Sequence, residues 1–339
     1  MKQTTRDFLN TPLEIAGRRI EKRLMLAPMS GLGNVAFREV LGDYGGVGLM
    51  FMEMCSAKAI PRENRYVSPV FRWRDRELGQ LVCQLFGSEP GEMAEAARRV
   101  EAEGFFGVDL NFGCSVARIC KRNCGAALLR SPEQAARIVD AVRQAVNLPV
   151  FVKFRTGWED RPELAVDLAR RFTAAGADAL TFHPRVAPDR RARPPRWDYI
   201  TRVKQAVSIP VFGNGNVFAA ADCEAMIERT GCDGVSLGRG AVAKPWIFAQ
   251  WTRGETFGPE AYPAMLNRLM DCLEFHYDPV RAMRRFRKAV GYTAAFFRFG
   301  HVFQKKLRGA TDFKEVRLKI KDFMANDPQL TEQPNMNLF

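Results

Sequence analysis

From residue 23 to about residue 250, short apolar runs alternate with longer segments whose apolar positions recur every three to four residues. The short runs fall at 23–29, 48–54, 81–87, 107–113, 150–157, 179–185, 210–216 and 234–240. Each is hydrophobic almost throughout, which predicts parallel strands covered on both faces. The segments between them predict helices. Residues 89–103 carry Pro90 at the first turn and place Met93, Ala97 and Val100 on one side. Residues 131–146 open with Ser131 as an N-cap, followed by Pro132 and the acidic Glu133. Residues 162–175 and 218–230 read the same way. Eight strands with helices between them close most economically as a (β/α)8 barrel, an α/β architecture. A doubly wound sheet would need a glycine-rich turn after the first strand, and Ala27-Pro28-Met29-Ser30-Gly31 lacks the G-x-G-x-x-G spacing.

The strand pattern stops after Trp246. Residues 258–339 predict several helices, with apolar spacing at 264–273, 283–297 and 313–323 and glycines 300 and 309 between them. The expected division is a barrel over 1–250 and a smaller helical domain over 258–339, ending in a frayed tail at 327–339.

A barrel places its active site at the C-terminal ends of its strands. There the apolar runs give way to Pro28, Met29, Glu53, Gln84, Asn111, Cys114, Lys153, Arg155, His183, Arg185, Asn214, Asn216, Gly238 and Arg239. Buried polar groups left unpaired cost a few kcal/mol each, so a shared ligand is expected. Lys153 calls for an anionic or electron-rich partner, either a flavin ring or a carboxylate from a neighbouring strand. Gln84 and His183 could bond the edge of such a ring, although a histidine satisfied within the core is the alternative. Gly213-Asn-Gly-Asn216 and Gly238-Arg-Gly240 end the last two strands, where barrels commonly cradle a phosphate. Together these point to a mononucleotide of flavin type. Cys114, on a loop at the rim, could deliver a proton as a general acid. Cys114, Cys120 and Cys124 do not match a common metal or cluster spacing, and no metal is expected.

Charge adds a partner. The chain has 51 Lys and Arg against 38 Asp and Glu, a net +13. Residues 281–321 hold 13 basic side chains and two acids, a net +11, interleaved with Phe286, Tyr292, Phe296, Phe297, Phe299 and Phe303. Residues 185–204 hold seven basic side chains and two acids, a net +5. Cations for phosphates with rings for packing or base stacking suit an RNA surface. Core packing explains the rings equally well, but not the cations. The polar opening lacks a signal-peptide core, no apolar run approaches a membrane span, and the eight cysteines read as reduced thiols of a cytoplasmic protein.

With these residues in hand, the sequence resembles the tRNA-dihydrouridine synthase family. The matching segments are Leu26-Ala-Pro-Met29, Gln84-Leu-Phe-Gly87, Asp109-Leu-Asn-Phe-Gly-Cys114, Gly125-Ala-Ala-Leu-Leu129, Val152-Lys-Phe-Arg-Thr-Gly157, His183-Pro-Arg185, Asn214-Gly-Asn216, Gly238-Arg-Gly-Ala241 and Pro245-Trp-Ile-Phe248. The resemblance implies an FMN-dependent oxidoreductase that converts a uridine of RNA, most plainly tRNA, into 5,6-dihydrouridine with NADPH as reductant. It implies Cys114 as proton donor and Pro28, Met29, Gln84, Lys153, His183, Asn214, Gly215, Asn216, Gly238 and Arg239 as FMN contacts. The expected RNA contacts are Arg185, Arg190, Arg191, Arg193, Arg284, Arg285, Arg287, Lys288, Lys305 and Lys306. The uridine would be flipped out of its helix to reach the flavin. Ser115, Pro184, Val186, Asn216 and the Ala243-Lys244 pair depart from the family pattern. They bear on the choice of RNA, so ribosomal RNA is a second candidate substrate. Two rival functions are a small-molecule reductase of dihydropyrimidine type and an RNA-binding protein with a vestigial barrel.

Overall fold

The computed structural model describes residues 1–189 and 193–339. Eight parallel strands form a closed ring: β1 (Leu24–Leu26), β2 (Leu49–Phe51), β3 (Leu81–Phe86), β4 (Gly107–Phe112), β5 (Val150–Gly157), β6 (Ala179–Val186), β7 (Val211–Asn214) and β8 (Gly234–Leu237). Each falls on its expected apolar run, β6 continuing one residue beyond it. Closure is made on both sides of β1 and β2: Val235 of β8 pairs with Leu24, and Met50 of β2 pairs with Leu81 of β3. The helices Pro90–Ala102, Pro132–Ala145 and Pro162–Ala174 each begin on their proline. Ser131 departs from expectation, because its side chain makes no capping bond. Its backbone (φ −131°, ψ 72°) leaves the extended conformation from which a cap oxygen reaches the first free N–H groups.

Alternation along the strands sorts the side chains. In β5, Val150, Val152 and Phe154 face the surrounding helices, while Phe151 belongs to a separate cluster inside the ring. That inner cluster contains Met25, Leu49, Phe51, Val82, Ala179 and Phe212, and fills the N-terminal half of the barrel. Gly107 and Gly234 make room for two of its four phenylalanine rings: a Cβ at either would lie 2.9 Å from Phe151 or 2.7 Å from Phe212. A hairpin that the apolar pattern does not predict, Leu13–Ile15 with Arg18–Ile20, plugs this end by adding Ile15 and Ile20 to the cluster. Its turn needs left-handed backbone at both Ala16 (φ 47°) and Gly17 (φ 73°).

The C-terminal region holds the helices Ala261–His276, Pro279–Ala294, Gly300–Arg308 and Phe313–Met324. Asp278 and Asp312 cap two of them, accepting from the N–H of Arg281 at 2.9 Å and of Glu315 at 2.8 Å. Phe286, Phe296, Phe297 and Phe303 are buried, so core packing accounts for them; Phe299 is 62% exposed. The apolar faces of these helices join the cluster that covers the outside of the barrel. The tail is docked rather than frayed. The Asn335 N–H donates to Ala295 at 2.8 Å, and the Phe339 ring stacks on Tyr292 and Phe218 with centroids 5.2 and 5.8 Å away. Those partners lie far away in sequence, which is why the tail's own polar composition gives no sign of them. No helix of the described residues is long and apolar enough to cross a membrane.

Candidate active site

Above the apolar half, the barrel opens at the C-terminal strand ends into a cavity of about 730 Å³. Pro28 and Met29 follow β1, Gln84 lies in β3, Lys153 in β5 and His183 in β6. Asn214, Gly215 and Asn216 end β7, and Gly238 and Arg239 follow β8; all ten line this cavity, as does Cys114. Six cationic side chains line it, Arg118, Lys153, Arg155, Arg185, Arg239 and Lys288, and no carboxylate of the described residues does. Lys288 and Tyr292 reach it from the helix Pro279–Ala294, so the C-terminal region forms part of the wall.

Deepest on one side is a polar network on β3, β4 and β5. Asp109, fully buried, accepts from Gln84 Nε2 at 2.6 Å; Gln84 Oε1 accepts from Asn111 Nδ2 at 2.8 Å. Burial raises the Asp109 carboxyl to about 7, against the opposing pull of the Gln84 bond and of the Lys153 charge. Lys153, paired in register with Asn111, points its ammonium into the cavity and makes no hydrogen bond or ion pair among the described residues. Burial and the neighbouring Arg155 lower it to about 8, with Asp109 acting against them. Asp109 is not among the residues expected from the strand ends. A signal for it exists in the sequence: it stands two residues before Asn111, and alternation puts both on the inner face.

Cys114 sits on the turn leaving β4. Its N–H and that of Gly113 donate to Asn111 Oδ1 at 3.0 and 3.2 Å. Its carbonyl accepts from the Ala126 N–H at 2.9 Å and from the Cys120 thiol at 3.5 Å. Gly125 (φ 63°) allows that approach, since a Cβ there would fall 2.6 Å from the Cys114 oxygen. Arg155 Nε donates to the Gly113 carbonyl at 2.7 Å, while its Nη1 is buried without a hydrogen-bond partner among the described residues. Among the described residues, no group of three His, Cys, Asp or Glu is arranged to hold a metal ion.

The opposite side is set by arginines. Asn216, itself left-handed (φ 54°), accepts through Oδ1 from Arg185 Nη2 at 3.0 Å and Arg239 Nη2 at 2.7 Å. Arg185 Nη1 lies 3.1 Å from His183 Nε2, and a guanidinium only donates, so Nε2 accepts. Burial, reinforced by Arg155, Lys153, Arg185 and Arg239, keeps His183 well below the usual imidazole range and hence neutral. Burial also lowers Arg185 to about 10, leaving it charged at neutral pH.

The residues expected to meet RNA separate into three groups. Arg193, Arg284, Arg287, Lys305 and Lys306 are exposed. Lys288 lines the cavity, and so does Arg185. Arg185, however, departs from the expectation: it is only 1% exposed, its Nε donates to the Arg193 carbonyl at 2.6 Å, and its two Nη groups go to His183 and Asn216. It is part of the wall and not a free phosphate contact. Arg285 departs from the expectation: it is only 8% exposed, its Nη1 lies 3.3 Å from the buried Glu53 carboxylate, and its Nη2 donates to the Pro69 carbonyl. With Glu53 also accepting from the Gly31 N–H, this contact fastens the helix Pro279–Ala294 to the barrel rim. A run of basic residues does not reveal which member turns inward. Arg190 and Arg191 lie outside the described residues.

Comparisons with known proteins agree with this architecture. Old yellow enzyme from Trypanosoma cruzi has a similar fold (TM-score 0.55, 12% identity, 76% of this chain and 96% of that one). A 2-naphthoyl-CoA reductase also does (TM-score 0.57, 14% identity), the alignment covering 74% of this chain and 53% of that longer one. In sequence, the chain is 30% identical to a probable tRNA-dihydrouridine synthase of Rickettsia conorii over 92% of this chain and 95% of the relative. It is 32% identical to tRNA-dihydrouridine synthase B of Pseudomonas aeruginosa over 90% and 94%. The family model for dihydrouridine synthase (Dus) matches residues 25–335, and the chain belongs to that family.

Proposed function

We propose that the protein reduces uridine to 5,6-dihydrouridine in tRNA, using FMN held in the barrel cavity and NADPH as reductant. The observation that carries this reading is the cavity itself: six cations, no carboxylate among the described residues, and a thiol on its wall at the mouth of a barrel. The donor set fits a flavin mononucleotide. Lys153 has an ammonium without a hydrogen bond or ion pair among the described residues, available for the electron-rich pyrimidine edge of the ring, and Gln84 and His183 offer hydrogen bonds on either side. Gly215 and Gly238 keep the ends of β7 and β8 open, since a Cβ there would lie 3.0 Å from His183 or 3.1 Å from Met29. Asn214, Asn216 and Arg239 stand there for the phosphate, and Pro28 and Met29 form the wall after β1.

When bound, reduced FMN supplies a hydride, drawn from NADPH, to C6 of the uracil. Cys114 holds the proton that goes to C5, and the Asn111 and Arg155 contacts hold its turn in place. Lys288, at the cavity, and the exposed Arg193, Arg284, Arg287, Lys305 and Lys306 hold the RNA phosphates. Residues 1–250 thus carry the flavin and, through Arg193, part of the RNA, while 258–339 carry the rest of the RNA and complete the cavity with Lys288 and Tyr292. That contribution favours the RNA enzyme over a small-molecule reductase confined to the barrel.

The test is the Cys114→Ala variant, assayed for bound flavin by absorbance and for dihydrouridine in tRNA by nucleoside mass spectrometry. Flavin is retained, and product formation falls roughly a hundredfold or more, the usual contribution of a general acid. Undiminished product would remove Cys114 from the reaction.

A further inference from the structure

The hydrogen bonds behind Cys114 can run in only one direction. The N–H groups of Gly113 and Cys114 donate and cannot accept, so the Asn111 atom facing them at 3.2 and 3.0 Å is its carbonyl oxygen. That turns the Asn111 amide nitrogen toward Gln84, whose oxygen accepts it at 2.8 Å. Gln84 Nε2 is then left facing inward, where only an acceptor will serve, and Asp109 provides one at 2.6 Å. Two obligate donors stand at one end of this chain of amides and a carboxylate at the other. Turning either amide over would oppose donor to donor and acceptor to acceptor. Asp109 does not line the cavity, and no role assigned above uses it.

We propose that Asp109 is a positioning residue that acts through Gln84 and Asn111 to hold the turn carrying Cys114. What it contributes is an acceptor at the blind end of the chain; its charge toward Lys153 is a separate effect. The catalytic consequence rests on the reading of Cys114 as proton donor, but the positioning itself does not.

The experiment uses the flavin-bound full-length protein. Iodoacetamide labelling of Cys114 relative to Cys120, both partly exposed, is followed by peptide mass spectrometry. Asp109→Ala removes the acceptor and frees both amides, and the labelling ratio rises about three- to tenfold, as for loss of a buried hydrogen bond. Asp109→Asn still offers an oxygen to Gln84, and its ratio stays near that of the unaltered protein. Gln84→Met removes both hydrogen-bonding ends of the link at nearly unchanged volume. It gives the same rise as Asp109→Ala and carries the test if that variant does not fold. Equal shifts in Asp109→Asn and Asp109→Ala would mean that charge alone matters and would overturn the proposal, as would an unchanged ratio in Gln84→Met. Full dihydrouridine formation by Cys114→Ala would end the proton-donor reading yet leave the labelling result standing.

Discussion

The two halves of the barrel interior are built from the same strands and obey opposite rules. Two residues along β5 separate Phe151, packed among apolar side chains, from Lys153, an ammonium with no partner among the described residues. In β7 the same step leads from Phe212 to Asn214, and in β6 from Ala179 toward His183 and Arg185. The lower half is complete in itself, closed by the hairpin. The upper half is a set of buried dipoles and cations that the chain itself satisfies only in part. Stability therefore resides below and in the outer shell, and binding resides above, where burial of charge works against the empty protein.

The largest effect expected from this division is in the lower half. Phe151→Ala removes a fully buried ring and should lower unfolding free energy by about 3–5 kcal/mol in a denaturant titration. A much smaller loss would mean that the hairpin collapses into the space and that the lower half is not rigid.

Next is Lys153→Met, which leaves the lower half untouched. Loss of one charge-assisted contact, about 1.5–3 kcal/mol, should weaken FMN binding roughly ten- to hundredfold in a fluorescence titration. In the unaltered protein the same contact fades as pH rises past about 8, where the buried ammonium gives up its proton. FMN affinity should thus fall between about pH 7 and 9 in the unaltered protein and stay level in the variant. A level response in both would show that Lys153 is not the group that meets the flavin.

Asp109→Asn should then act in the opposite sense on the flavin-free protein. The Asp109 carboxyl is raised from 3.8 to about 7 on folding. Between those values the folded protein holds a proton that the unfolded chain has released, so stability falls as pH rises through the window and the whole penalty stands above about 7. Asparagine has no such proton. Its Tm advantage over the unaltered protein should grow from about pH 5 to about pH 8, reaching a few degrees. An advantage that shrank over that range would mean that the charge pairing with Lys153 outweighs desolvation.

How much of this is legible in the sequence follows from the range of the interactions. The barrel strands and Gln84, Lys153, His183 and Arg239 can be read because strand alternation and strand ends are local. Asp109 is equally local yet does not stand out, since an acid inside a hydrophobic run carries no mark of its partners. Glu53 is recognisable as a polar strand end, but its partner Arg285 lies 232 residues away, and nothing in the basic run separates Arg285 from Arg284. The hairpin escapes because its three-residue strands are too short to show a period. The tail escapes because its docking depends on Phe218 and Ala295, contributed by distant elements.

The smallest expected effect belongs to the exposed cations, which sit in neither half of the barrel. Arg284 and Lys305 face water, so their phosphate contacts are worth little singly and are screened by salt. Arg284→Ala or Lys305→Ala should leave thermal stability and FMN binding unchanged and weaken tRNA binding only a few-fold at low salt. Each should also reduce the slope of log affinity against log salt by about 1 if the side chain meets a phosphate. The slope is the sharper readout, because a side chain that merely disturbs the fold shifts affinity at every salt concentration alike. An unaltered slope for both would move the RNA path away from these helices and toward Lys288 at the cavity.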